Sequence, residues 1–142
     1  MKLIIINGPN LNLLGKREQN IYGSLSFEAY FESLKAKFSD ISFEYYQSNI
    51  EGEIIDCIQK HGFSAEGIII NPGGYSHTSV AIADAIRSIE TEVVEVHISN
   101  IAARENYRQV SITAQACRGC ISGFGLDSYV LAVESFLLKN NA

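Results

Sequence analysis

At 142 residues, 46% hydrophobic and 19% charged, the chain has the size and balance of one globular domain, expected to span residues 1–142. A formal net charge of −5 offers no global positive field for nucleic acid or anionic lipid, and no apolar run approaches the ~18 residues of a membrane span. The start, Met1-Lys2-Leu3-Ile4, lacks an export pattern and three cysteines do not make a disulfide framework, so a cytoplasmic protein with reduced thiols is expected, without nucleic-acid or membrane partners.

Leu3 to Ile6 is a continuous apolar run, mostly β-branched and followed at once by Asn and Gly, as in a strand buried on both faces of a parallel sheet. Phe27, Tyr30, Phe31, Leu34 and Phe38 then follow the spacing of one helical face, with Ser24 or Ser26 as N-cap. Phe43, Tyr45 and Gln47 alternate with their neighbours as a half-covered strand does. Ser48-Asn49-Ile50-Glu51 reads as a capping box before a helix whose stripe is Ile50, Ile54, Cys57 and Ile58, closed by Gly62. Ile68 to Ile70 repeats the buried-strand pattern, and Thr78 or Ser79 caps a helix with Ile82, Ala85, Ile86 and Ile89 inward. Val93 to Ile98 is the fourth strand, followed by a long connection from Ser99 to Ala116 and a fifth strand at Cys120 to Ser122. A last helix carries Tyr129, Val130, Val133, Phe136 and Leu137. This alternation predicts an α/β, flavodoxin-like fold: a five-stranded parallel sheet of order 2-1-3-4-5 with helices on both faces.

In such sheets ligands bind beyond the carboxyl ends of the strands, where the strand order reverses. Asn7 to Arg17 with Tyr22-Gly23 follows the first strand, Asn71 to Ser79 the third, and Glu95-Val96-His97-Ile98-Ser99 ends the fourth. Any one of these loops reads equally well as turn punctuation; three that converge read as a site. No nucleotide loop is present, because six residues separate Gly8 from Gly15 where four are required, and Arg17 stands where a hydroxyl must bind magnesium. Cys117-Arg118-Gly119-Cys120 has redox or half-zinc spacing, but His61, His77 and His97 supply no second half, so inert thiols and no metal or cofactor are expected.

His61 precedes Gly62 at a helix C-terminus and reads as structural. His97 shares a strand face with Glu95, a carboxylate placed to orient the imidazole for general acid–base work. Arg17 and Tyr22 lie in a long polar loop suited to a lid; a guanidinium there favours tyrosinate, although such a pair alone is more often a surface cation–π contact. Arg104 and Arg108, i and i+4 with Glu105 between, form either a solvated face or an oxyanion clamp.

GPNLNLLGKRE (Gly8 to Glu18) with Tyr22-Gly23, NPGGYSHTSVAIADAI (Asn71 to Ile86), EVHISNIAARENYR (Glu95 to Arg108) and ISGFG (Ile121 to Gly125) together resemble type II 3-dehydroquinate dehydratase over nearly the whole chain. The resemblance implies a lyase of the shikimate pathway that removes water from 3-dehydroquinate through an enolate, without metal or cofactor, as a dodecamer built of four trimers. It also implies that Tyr22 takes the C2 proton with Arg17 holding it as tyrosinate, that Asn10 steadies the enolate through a water, and that His97, oriented by Glu95, protonates the C1 hydroxyl. Ile98 and Ser99 match the grip on the substrate carboxylate; Asn71, His77 and Arg108 match the residues on the ring hydroxyls. Arg104 matches a second arginine near the tyrosine, and Asp84 a residue that reaches a neighbouring subunit's site. Gln19, where the family commonly has Pro, and Ala83, where Arg often precedes the Asp84 position, depart from the pattern and bear on the lid and on the oligomer. The competing reading is a non-catalytic flavodoxin-like module that binds flavin or a protein.

Overall fold

The computed structural model of the chain describes residues 1–16, 20 and 24–140. Five strands, β1 (Lys2–Asn7), β2 (Ser42–Gln47), β3 (Gly67–Asn71), β4 (Val93–His97) and β5 (Gly119–Ser122), pair in parallel in the order β2-β1-β3-β4-β5. Among the described residues four helices, α1 (Phe27–Lys37), α2 (Glu51–His61), α3 (Val80–Arg87) and α4 (Asp127–Asn140), cover the two faces. The sequence expectation of a flavodoxin-like sheet is met.

The period of two along each strand divides the core. Leu3, Ile5, Ile69, Val94 and Val96 face one side, where Phe27, Tyr30 and Leu34 of α1 and Tyr129, Val133 and Phe136 of α4 pack on them. Ile4, Ile6, Ile68, Ile70 and Val93 face the other, against Ile54 and Ile58 of α2 and Ile82 and Ile86 of α3. Because Val94 and Val96 belong to the first core, the intervening Glu95 and the following His97 are forced onto the second face. Both are buried there.

Two helix starts resolve onto one serine each. Ser26 Oγ accepts from the Ala29 amide at 3.2 Å, and Ser79 Oγ from the Ile82 amide at 2.9 Å, so Ser24 and Thr78 are not the caps. The capping box at Ser48 is corrected. Helix α2 starts at Glu51 with Ile50 in the N-cap position and no side-chain cap. Ser48 Oγ instead accepts from the Ile50 amide at 2.9 Å and donates to Glu53 at 2.7 Å. A short hydroxyl bonds the amide two residues on and so fixes the turn before the helix. Glu51, freed from that box, accepts from Ser79 Oγ at 2.6 Å and ties α2 to the cap of α3. Ile50 is 58% exposed and leaves the predicted stripe, while His61 enters it as a buried residue.

The long connection after β4 carries three short 3-10 turns, Ile101–Ala103, Asn106–Arg108 and Thr113–Ala116. Ala83 is fully buried, so a long charged side chain could not take its place without repacking α3. Among the described residues no helix is long and apolar enough to cross a membrane. Arg17, Gln19 and Tyr22 lie outside the described residues.

Candidate active site

The site begins where β1 and β3 end side by side, with Asn7 and Asn71 in register. Gly8 donates its amide to the Asn71 carbonyl at 2.7 Å, and a Cβ on Gly8 would lie 2.5 Å from the Pro72 carbonyl oxygen. Only glycine lets the two loops approach so closely before they part. Asn10 then takes the left-handed conformation at φ 70°, the one non-glycine residue to do so among those described. Its amide donates to Asn49 Oδ1 at 2.9 Å, and Gln47 Nε2 donates to the Gly8 carbonyl at 3.1 Å, so β2 and the turn after it hold the first loop.

A cavity of about 120 Å³ opens at this junction, lined by Asn10, Asn71, His77, His97, Ser99 and Arg108 among others. Of the residues expected from the sequence, Asn10, Asn71, His77, His97, Ile98, Ser99, Arg104 and Arg108 all line it. Glu95 lies beneath it. Asp84 does not reach it: this side chain is exposed on α3, 3.7 Å from Arg87.

His97 Nε2 lies 2.7 Å from Glu95 Oε2. With Glu95 fully buried, its carboxylate is served by donors on every described side: Ser111 Oγ at 2.6 Å, the Thr113 hydroxyl on the other oxygen, and the Cys120 thiol at 3.9 Å. This arrangement assigns Nε2–H of His97 as the donor to Glu95 and leaves Nδ1 as the nitrogen available for proton transfer. His77 has the opposite tautomer. Its Nδ1–H donates to the Val110 carbonyl at 2.8 Å, which leaves Nε2 as an acceptor, and the two imidazoles lie nearly parallel with centroids 6.3 Å apart.

Two arginines supply the positive wall. Arg108 pairs with Glu105 at 2.8 Å, and Arg104 lies 3.8 Å from the same carboxylate and 3.4 Å from Ser99 Oγ. Glu105 is held below the usual carboxylate range by its own backbone amide first, and further by Arg108 and Arg104. The i, i+4 pair is therefore not a solvated face: both arginines are largely shielded, both approach Glu105, and both line the cavity.

Glu95, His97 and Cys120 bring their ligating atoms within 4.8 Å of one another, the separation of a cation site. The donor set fits one poorly. The carboxylate is already engaged by two hydroxyls and an imidazole N–H, and the neighbouring Cys120 thiol is pushed up to about 12 by desolvation and then by the Glu95 charge. Cys117 is pushed up by the same causes. A larger hollow of about 330 Å³ between β2 and α2 is lined by Glu44, Glu53, Asp56, Lys60 and His61, away from the converging loops. In it His61 Nε2 lies 3.4 Å from Glu44.

Ser111 and Thr113 escaped the sequence reading because hydroxyls in an irregular stretch carry no periodicity. Their alternation two apart, just after Arg108, was the available signal.

Three comparisons bear on this geometry. A family model described as "Dehydroquinase class II" matches residues 1–137. The 3-dehydroquinate dehydratase of Caldicellulosiruptor bescii is 54% identical over 135 residues, covering 93% of each chain, and that of Clostridium beijerinckii is 52% identical over 98% of this chain and 97% of its own. The crystal structure of type II dehydroquinase from Butyrivibrio crossotus superposes with a TM-score of 0.92 at 47% identity, covering 96% of this chain and 97% of that one.

Proposed function

The chain belongs to the class II dehydroquinase family, and from that premise we propose that the pocket at the ends of β1, β3 and β4 is where it dehydrates 3-dehydroquinate. The activity is that of a hydro-lyase of the shikimate pathway. The single observation that carries the placement is the buried Glu95–His97 pair, 2.7 Å apart, at the base of a cavity ringed by Asn71, His77, Arg104 and Arg108.

Elimination from a β-hydroxy ketone needs a base for the proton beside the carbonyl, a polar group for the enolate oxygen, and an acid for a hydroxyl that leaves poorly as hydroxide. Tyr22, held as tyrosinate by Arg17, is the base at C2 in this reading, on the strength of the family motif. Asn10, on its left-handed turn at the cavity wall, steadies the enolate through a water. His97 then gives the proton on Nδ1 to the C1 hydroxyl, which departs as water, and the ring becomes a conjugated enone. Glu95 keeps Nε2–H pointed inward, so only Nδ1 changes protonation. Arg108, His77 and Asn71 hold the ring hydroxyls; Ile98 and Ser99 hold the substrate carboxylate, with Arg104 beside Ser99. No metal or cofactor is required by these steps.

In this reading residues 1–142 act as one catalytic domain, supported by the family model's match to residues 1–137, and the protein works in the cytoplasm. The protein assembles as a homo-oligomer, a dodecamer of four trimers, in which the exposed Asp84 of α3 completes a neighbouring subunit's site. Ultraviolet absorbance of the enone tests the reading. Absorbance should rise when 3-dehydroquinate is added to the purified protein, whereas a flat trace from folded, oligomeric protein would refute it.

A further inference from the structure

Beneath the cavity lies a buried polar chain of which the proposed reaction uses only one member, Asn71. Tyr129 of α4 is fully buried, with its ring packed against Phe27 and Tyr30 at centroid distances of 5.0 and 6.1 Å. Its hydroxyl meets the two in-register asparagines at the carboxyl ends of β1 and β3. It donates to Asn7 Oδ1 at 2.7 Å and accepts from Asn71 Nδ2 at 3.1 Å. Asn71 Oδ1 in turn accepts from the Gly73 amide at 3.1 Å. The direction of each bond is fixed from both ends. A backbone amide can only donate, so Asn71 must present oxygen to Gly73 and nitrogen to Tyr129. Burial raises the phenol of Tyr129 far above its usual range, so the proton stays on it and points to Asn7.

We propose that Tyr129, with Asn7 behind it, is a positioning residue for substrate binding: it holds the Asn71 amide in the one orientation that leaves its second Nδ2–H directed to the cavity. This rests on the reading that Asn71 meets the substrate. A purely structural explanation, that the chain satisfies buried polar atoms, accounts for the bonds but not for their place: the Asn71 amide gives its oxygen to Gly73 and one N–H to Tyr129 while lining the cavity. Tyr129 lies on the opposite core from Glu95, so its effect should appear in binding and not in acid catalysis.

The test is a double-mutant cycle in steady-state kinetics on the intact oligomer, with Tyr129→Phe, Asn71→Ala and the pair. Tyr129→Phe keeps the ring and removes only the hydroxyl; it is expected to raise KM for 3-dehydroquinate by about tenfold with kcat within about threefold, the signature of a lost ground-state contact. The double variant should be no worse than Asn71→Ala alone by more than about twofold, because a residue that acts through Asn71 has nothing left to act on. An unchanged KM in folded Tyr129→Phe, or effects that multiply, would overturn the proposal while leaving Asn71 as a substrate contact. Wild-type kinetics for Asn71→Ala would overturn that contact and the proposal together. Should Tyr129→Phe fail to fold, Asn7→Ala takes its place in the cycle, with the same expected rise in KM and the same criteria.

Discussion

His97 and Glu95 sit two residues apart on a strand whose other face is committed to valine, and that period of two is what puts imidazole and carboxylate side by side in a buried site. Glu95→Gln keeps the size and removes the acceptor that fixes the Nε2–H tautomer. The glutamine can turn its own N–H₂ toward the ring, so kcat should fall by about a hundredfold with KM little changed, measured by steady-state enone formation. At this scale the pair was legible in the sequence because alternation is a local pattern. Ser111 and Thr113, which complete the carboxylate's shell, were not, since they arrive from an irregular connection 16 and 18 residues away. The proposed roles of Tyr22 and Arg17 rest only on the motif they share with the family; in isolation a loop arginine and tyrosine read as a surface contact.

Elements hold these residues in place through a few close approaches. Gly8 is one: a methyl at its Cα would meet the Pro72 carbonyl at 2.5 Å, and backbone cannot step aside as a side chain does. Gly8→Ala should therefore part the β1 and β3 loops, lowering thermal stability by about 2 kcal/mol or more and weakening substrate binding, as read by melting and by KM. A second approach joins α2 to the edge strand β2, where buried His61 faces Glu44. Burial lowers the pKa of this histidine, with Glu44 opposing. The unfolded chain then binds a proton first as pH falls, so stability present above the unfolded pKa of about 6.5 is lost as pH drops through the lower folded value. Between pH 7 and pH 5, wild type should lose more melting temperature than His61→Gln; an equal loss would remove His61 as a contributor. Helix α2 also shows why local reading of starts is fallible. Ser48 and Glu51 match a capping box in sequence, yet Ser48 bonds Glu53 and Glu51 bonds Ser79, a partner 28 residues away.

At the scale of the whole molecule the sheet order follows from the alternation of strand and helix patterns, which is why the fold could be read before any coordinates. The reversal of winding between β1 and β3 then dictates where a ligand fits, and the loops that converge there are those richest in Asn, Gly and His. What alternation could not show is depth: the polar chain from Asn7 through Tyr129 to Asn71 joins residues 122 and 58 positions apart, and no local pattern records it. The enolate route proposed for this pocket runs on side chains alone, so exhaustive dialysis against EDTA should leave the rate unchanged within about 20%, the scatter of a steady-state assay; a loss restored by added metal would contradict this. The most direct measurement of the account is kcat for His97→Gln on 3-dehydroquinate, in protein shown to be folded and assembled. Loss of the acid should lower kcat by about a hundred- to ten-thousandfold while KM changes far less; turnover near that of wild type would contradict the assignment of this pocket and its Glu95–His97 pair as the seat of the reaction.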